Sequence, residues 1–354
     1  MNEFQTGIGV MSGTSLDGID LAWCQFEQLP VHRWNYRVIK ADTYPYAPDF
    51  RKKLAGATEL SAFDYCKLNV ELGEVIAACI LDFIGTDEKP DFIASHGHTV
   101  FHQPQDGLTT QIGSGAVIAA RTGITTICDF RTLDVALHGQ GAPLVPIGDE
   151  LLFGQYDACL NLGGFSNVSF RQNNKRIAFD ISPCNMALNN LANRQGLAYD
   201  KNGDIARSGN VLYPMLEELN RLEYYSKPCP KSLGKEWFDI HILPIIQCYI
   251  KQGSLENCMR TMVEHIAEQI ARAIPADKQN LIVTGGGALN QFLIERVQSK
   301  WPKQIVIPDN TIINYKEAII FAFLGYLRLQ GMDNCLASVT GATMDNSGGC
   351  IWKS

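Results

Sequence analysis

Two stretches of this chain repeat one plan, and that repeat limits the fold more than any other feature. Residues 7–26, GIGVMSGTSLDGIDLAWCQF, read as a short apolar strand, a turn rich in Gly, Ser, Thr and Asp, and a second strand alternating Ile19, Leu21 and Trp23. Residues 156–170, YDACLNLGGFSNVSF, repeat strand, Gly163-Gly164 turn and strand, and RIAFDI (176–181) adds a third strand to this half. Elsewhere helices and strands alternate. Leu72, Val75, Ile76, Cys79, Ile80 and Phe83 recur at helical spacing, followed by apolar strands at 91–97 and 124–130. Met259, Met262, Val263, Ile266, Ile270 and Ile274 mark a helix ended by Pro275, and the strand LIVTGGG (281–287) follows. A last helix starts near Lys316 and runs through Phe321, Leu324 and Leu327 to Gly331. The pattern predicts an α/β fold, duplicated, with helices covering the sheets. The Gly/Pro-rich GQGAPLVP places the boundary between Gly139 and Gln155, dividing the chain into 1–145 and 146–354, with the terminal helix able to pack back on the first lobe. No low-complexity linker intervenes, so two lobes are expected to pack around a cleft.

Composition removes several classes of function. Hydrophobic residues make up 46% and charged residues 19% of 354, a balance that opposes disorder. The net charge is −7, without a dense Lys/Arg block, which argues against nucleic acid as a partner. Eleven cysteines occur without a C-x-x-C pair or a zinc-like spacing, as expected for reduced thiols in a cytosolic protein. The opening residues show no basic leader with an apolar stretch. No apolar run approaches the ~20 residues that span a bilayer. A cytoplasmic protein is the expectation.

The turns carry the candidate chemistry. Gly13-Thr14-Ser15-Leu16-Asp17-Gly18 connects two strands, unlike a Walker loop, which enters a helix with Gly-Lys-Ser/Thr. Small residues let successive N–H groups and hydroxyls approach phosphate oxygens, and Asp17 or Asp20 is able to orient Mg²⁺ through water. A plain hairpin turn accounts for the same residues equally well. Gly163-Gly164 and Gly285-Gly286-Gly287 also end apolar strands, with Asn290 opening the next helix. Three such turns across both halves suggest a nucleotide site. Asp180 ends the strand RIAFD ahead of Ile-Ser-Pro-Cys-Asn, where it suits either a general base or a helix cap; Asn185 is a second cap candidate. His96, His98 and His102 in SHGHTVFHQP fit substrate contact in a loop better than a metal site, since no H-E-x-x-H helix or cysteine set accompanies them. Arg131, near Asp129 and Asp134, has the planar fork that pairs with a carboxylate, although a structural ion pair would use the same residues.

VMSGTSLDGID, HGHTVFHQP, ARTGI, GQGAPLVP, NLGGFSN, FDISPCN, PKSLGKEWF, TGGGALN and SVTGA together resemble the anhydro-N-acetylmuramic acid kinases, in family order from residue 7 to about residue 343. The resemblance implies the two-lobed actin-like ATPase fold, with duplicated ribonuclease-H-like domains and a nucleotide cleft between them. It implies that Gly13, Thr14, Ser15, Leu16, Asp17, Gly18, Ile19 and Asp20 form a first phosphate loop for ATP. It assigns the second to Asn161 through Gly164, the adenosine side to Gly285, Gly286 and Gly287, and the catalytic base to Asp180. His96, Thr99, Arg131 and Asn185 are the expected sugar contacts, with ATP and Mg²⁺ as cofactors. The implied reaction opens the 1,6-anhydro ring with water and phosphorylates O6, giving N-acetylmuramic acid 6-phosphate in cell-wall recycling. A homodimer is suggested by the resemblance alone. The chain departs from the family pattern at Ile181-Ser182-Pro183-Cys184, usually Thr-Gly-Pro-Gly, at His98, usually Gln, and at Thr132-Leu133, where many members carry arginines. Another sugar or acetate kinase of this fold is the alternative, followed by a chaperone-like ATPase and a silent sugar sensor.

Overall fold

The chain, described here from a computed structural model over residues 4–13, 16–30, 33–252 and 254–353, divides into two compact units. One comprises Met1–Phe153 with Tyr315–Ser354, the other Gly154–Asn314. The division falls after Phe153, within the Gly139–Gln155 stretch, and residues 315–354 belong to the first unit. The reason lies in contacts of the segment around Asp149. Its carboxylate pairs with Lys316 Nζ at 2.6 Å, both side chains being nearly buried, and Phe153 packs 5.7 Å from Tyr36.

In the first unit the strands are β1 (Gln5–Ser12), β2 (Gly18–Leu29), β3 (Arg33–Pro45), β4 (Phe92–Gln103), β5 (Leu108–Ile112) and β6 (Thr125–Cys128). β1 pairs antiparallel with β2, and β2 with β3. β1 pairs parallel with β4, and β4 with β6. The second unit holds β7 (Ala158–Leu162), β8 (Phe165–Gln172), β9 (Lys175–Pro183), β10 (Asn280–Thr284) and β11 (Gln304–Val306). Here β7–β8 and β8–β9 are antiparallel, while β7–β10 and β10–β11 are parallel. The order β3-β2-β1-β4-β6 therefore recurs as β9-β8-β7-β10-β11 with the same directions. The first sheet is extended by β5 on β4 and by a final strand, β12 (Cys350–Trp352), on β6. This is the duplication that the paired hairpins predict, in the α/β plan of the actin-like fold that the family resemblance implies.

Each unit has its own core. Helix Ala62–Ile84 starts on Ser61, whose Oγ accepts the Asp64 N–H, and stops at Gly85, whose φ of +62° suits glycine. Its Leu72, Ile76, Ile80 and Phe83 pack with Ile8, Val10, Ile19 and Leu21 of the sheet, all fully buried. Full burial of such a side chain stabilises by about 1.5–3 kcal/mol. On the other face, helix Asn310–Leu329 lies so close that a side chain on Gly9 would strike the backbone of Ala318 and Ala322. Aromatic packing seals the contact, with Phe26 and Trp34 at 5.4 and 5.2 Å from Phe323. In the second unit, helix Leu255–Ala273 buries Met259, Met262, Val263, Ile266 and Ile270 against Leu160, Val168, Phe179 and Leu281.

One expectation changes. His96 and His98 lie inside β4, which continues to Gln103, and not in a loop at a strand end. Gly97 interrupts without ending the strand: its φ of +74° and the register step between Val10–Ser95 and Ser12–His98 mark a bulge. Among the described residues no helix is long and apolar enough to cross a membrane.

Candidate active site

Parallel neighbours within a sheet bring their carboxyl ends to one edge, and in both units the candidate residues collect there. In the first unit this edge joins the end of β1, the His96–His98 bulge of β4 and the Asp129–Arg131 segment after β6. Thr14 and Ser15 lie outside the described residues. Around them, Leu16 N–H donates to Gly13 O at 3.3 Å and Leu16 has φ +58°, so the turn is tight and left-handed at that point. Gly18 cannot carry a side chain because a Cβ would sit 2.6 Å from Tyr44 O across the β2–β3 pair. Ile19 is fully buried in the core, and so supports the turn from below. Asp20 accepts from Thr43 Oγ1 at 2.6 Å. Burial raises its carboxyl above the ordinary aspartate value, the Thr43 bond opposes, and Asp17 adds to the rise.

His96 and Arg131 form one device. His96 Nδ1 lies 2.8 Å from Gly97 O, so that nitrogen donates, and Nε2 accepts from Arg131 Nε at 3.0 Å. Burial and the adjacent guanidinium both hold His96 well below the usual histidine range, hence neutral. Arg131 Nη1 donates to Gly141 O at 2.6 Å. Burial brings its guanidinium down to about 10, so it stays cationic at neutral pH. Gly141 is held in turn by its N–H to the buried Asp134 at 2.7 Å. His98 turns its Nδ1 to Ser12 Oγ at 3.4 Å, beside the first turn, while Ser12 also bonds Tyr46 Oη at 2.6 Å. Thr99 is not part of this group: Gln111 Nε2 on β5 donates to its hydroxyl at 3.3 Å.

Sequence reasoning missed Glu317, which the helix Asn310–Leu329 brings toward Arg131 and Asp20. Loss of hydration raises its carboxyl, Arg131 lowers it and Asp20 raises it, although the residue keeps an exposed surface. Its signal lay 186 residues beyond Arg131, where nothing local marks it (317 minus 131). Asp17, Asp20 and Glu317 offer the hard oxygen donors that Mg²⁺ takes, which makes this edge chemically compatible with that ion. Among the described residues no three His, Cys, Asp or Glu side chains converge on a direct metal site.

The second unit assembles Gly163-Gly164, Gly285–Gly287, Asn185 and Asp180. β7 and β10 run parallel with Asn161 beside Thr284, so the two glycine turns leave the sheet side by side. Gly285 has φ +79°, and a Cβ there would lie 2.5 Å from Asn161 Oδ1. Gly287 would meet Leu162 Cβ at 2.7 Å, whereas at Gly286 the nearest atom is Asn185 Nδ2 at 3.8 Å. Gly286 thus presents an open backbone shelf. Gly163 O and Gly164 O accept the N–H groups of Asn185 and Cys184 at 3.1 and 2.8 Å. Asn185 donates its Nδ2 to Leu162 O at 2.9 Å, tying the helix Asn185–Asn193 to the turn and leaving it no role as that helix's cap.

Asp180 is not a helix cap either. The helix begins after Cys184 with no side-chain cap, and Asp180 Oδ2 accepts the Leu233 N–H at 2.9 Å. The segment 224–233 clasps this residue further: Asp180 N donates to Lys231 O at 3.2 Å, and Tyr224 Oη donates to Asp180 O at 2.6 Å. Oδ1 is left without a partner among the described residues. Burial raises the carboxyl above the ordinary aspartate value, partly offset by the Leu233 N–H, which moves it toward a base's working range. The second unit therefore holds an oriented carboxylate on a strand whose end, Pro183, pairs with Phe165 after the Gly163-Gly164 turn, and the first unit holds a cationic fork braced by His96.

Residues 5–354 match the family described as anhydro-N-acetylmuramic acid kinase. The chain is 36% identical over 368 residues to the anhydro-N-acetylmuramic acid kinase of Pasteurella multocida, covering 98% of this chain and 96% of that one. It is 35% identical to those of Aliivibrio fischeri and Vibrio cholerae, covering 98% and 99% of this chain and the same shares of theirs.

Proposed function

The chain belongs to the anhydro-N-acetylmuramic acid kinase family, and from that premise we propose that Asp180 is the base with which it opens the 1,6-anhydro sugar before ATP phosphorylates it. The protein is a kinase that converts 1,6-anhydro-N-acetylmuramic acid to N-acetylmuramic acid 6-phosphate, the chemistry of peptidoglycan recycling. The observation that carries the proposal is the Asp180 carboxylate itself, with Oδ2 fixed by Leu233 N–H, Oδ1 open, and its pKa raised by burial.

Asp180 Oδ1 takes a proton from water as the water oxygen bonds to C1 and the C1–O6 bond breaks. O6 is thereby freed at the site and attacks the γ-phosphorus of ATP, which leaves as ADP. Such transfers depend mainly on positioning and charge stabilisation. The glycine turns at Gly13–Asp20, Gly163-Gly164 and Gly285–Gly287 are assigned to the nucleotide, with Gly286 on its adenosine side. Arg131, oriented by His96, is assigned to the sugar's lactyl carboxylate, and Asn185 keeps the second turn in shape. Asp20 and Asp17 would hold Mg²⁺ through water; that ion would neutralise phosphate charge. ATP supply places the activity in the cytoplasm.

The reaction in ¹⁸O-water with ATP and the anhydro-sugar tests the ring-opening step. The product should carry one heavy oxygen on the sugar and none on the phosphoryl group by tandem mass spectrometry. An unlabelled product would refute water attack at C1.

A further inference from the structure

Behind the strand that carries Asp180, on the side of its neighbours Phe179 and Ile181, the second unit contains a cavity of about 440 Å³. Its residues are unevenly charged: Arg221, Lys227, Lys231 and Arg272 line it, and among the described residues no acidic one does. Phe170, Phe179 and Ile181 give it an apolar floor. We propose that this cavity is a regulatory site for a small phosphorylated sugar, separate from the catalytic edge. The link to catalysis rests on Asp180 being the base; the binding itself does not.

The cations remain available to an anion. Arg221 pairs with Glu217 at 3.1 Å and Lys227 with Glu223 at 3.3 Å, but both pairs are on the open surface, where such contacts contribute little. Arg272 reaches Glu268 only at 3.7 Å, and Glu268 is shared with Lys300 at 3.1 Å. Lys231 Nζ donates to Tyr224 O at 3.2 Å and lies 4.7 Å over the Tyr224 ring, with no carboxylate partner among the described residues. A phosphomonoester supplies the dianion this set lacks, and a pyranose ring has the size and the apolar face that the floor fits.

The wall is pre-set. Asn220 Nδ2 donates to Glu268 Oε2 at 2.8 Å, which turns its Oδ1 toward His265 Nδ1 and Gln269 Nε2, each at 2.8 Å. His265 Nδ1 therefore carries the proton, and Nε2 accepts from Tyr225 Oη at 2.8 Å. Tyr225 is thus fixed at the cavity by its hydroxyl bond to His265.

The same segment reaches Asp180. Lys231 lines the cavity with its side chain while its carbonyl accepts the Asp180 N–H, and Leu233, two residues on, donates to the carboxylate. An anion that draws Lys231 inward acts on the residues that orient the base.

The test uses calorimetry with N-acetylmuramic acid 6-phosphate on the full chain, its substrate sites blocked by saturating anhydro-sugar and a non-hydrolysable ATP analogue. One further equivalent should bind. The double variant R221E/R272E, altered at two exposed positions outside the segment that holds Asp180, should keep unliganded turnover and weaken that equivalent on the order of tenfold or more. Inorganic phosphate should displace the sugar phosphate only at clearly higher concentration. No extra equivalent in the wild type, or unchanged affinity in the folded variant, overturns the site; equal potency of inorganic phosphate overturns the sugar assignment. Turnover should change with occupancy in the wild type and not in the variant; occupancy with constant turnover overturns the regulatory role. A failure of Asp180 as the base would instead appear in Asp180→Asn kinetics and leave the binding result standing.

Discussion

Gly285 and Gly286 are adjacent, yet the structure asks opposite things of them. Gly285 needs a positive φ and has no room for a Cβ, so Gly285→Ala should cost roughly 1–3 kcal/mol of stability. Gly286 has neither constraint, so Gly286→Leu should fold normally and raise the KM for ATP far more than that for sugar. Thermal melting beside steady-state kinetics separates them; equal destabilisation by both would deny that Gly286 faces the nucleotide. The sequence pointed to this glycine run but not to the difference within it, because the atom that excludes a side chain at Gly285 belongs to Asn161. Asp180 was legible for a local reason, a carboxylate following the apolar run RIAF, although β9 does not end there but continues to Pro183. Tyr224 and Glu317 were not, since each reaches its partner from a distant part of the chain and has no motif of its own, and Leu233, though within PKSLGKEWF, carried nothing that tied it to Asp180.

At the level of elements, apolar periodicity located the long helices well: the face running from Met259 to Ile270 is buried as its spacing requires. It said nothing of the polar residues those helices also bury. His265 on helix Leu255–Ala273 has no exposed surface, and burial pushes it down to about 3. The unfolded chain takes up this proton near pH 6.5 and the folded chain does not. Its contribution to stability is therefore complete above about pH 6.5 and is lost as pH falls toward 3. Between pH 7 and pH 5 the wild type should lose on the order of 2 kcal/mol more than His265→Gln in urea unfolding. Parallel pH dependence in the two proteins would contradict a buried neutral imidazole. The β4 bulge was equally hidden from the sequence: Gly97 looked like the end of a strand, and only pairing with β1 and β5 shows that the strand passes through it.

For the molecule as a whole, the two hairpins foretold duplication, and the recurring strand order with its directions carries it through both units. The point where the first unit ends was less readable, because Gly and Pro in GQGAPLVP punctuate a turn inside that unit. What holds the later residues there is long-range, the nearly buried Asp149–Lys316 pair. Lys316→Met should cost about 3–5 kcal/mol by removing the buried cation that pairs with the Asp149 carboxylate. Denaturant unfolding that matches the wild type would show that the pair does not fasten the returning segment. The central claim, however, concerns one carboxylate, and a single substitution reaches it. Asp180→Asn keeps the shape and the bond from Leu233 N–H but cannot take the water's proton. Turnover should fall on the order of 10²–10⁴-fold, with ring opening and phosphorylation lost together and sugar binding by calorimetry unchanged. Near-normal turnover in the folded variant would contradict the account.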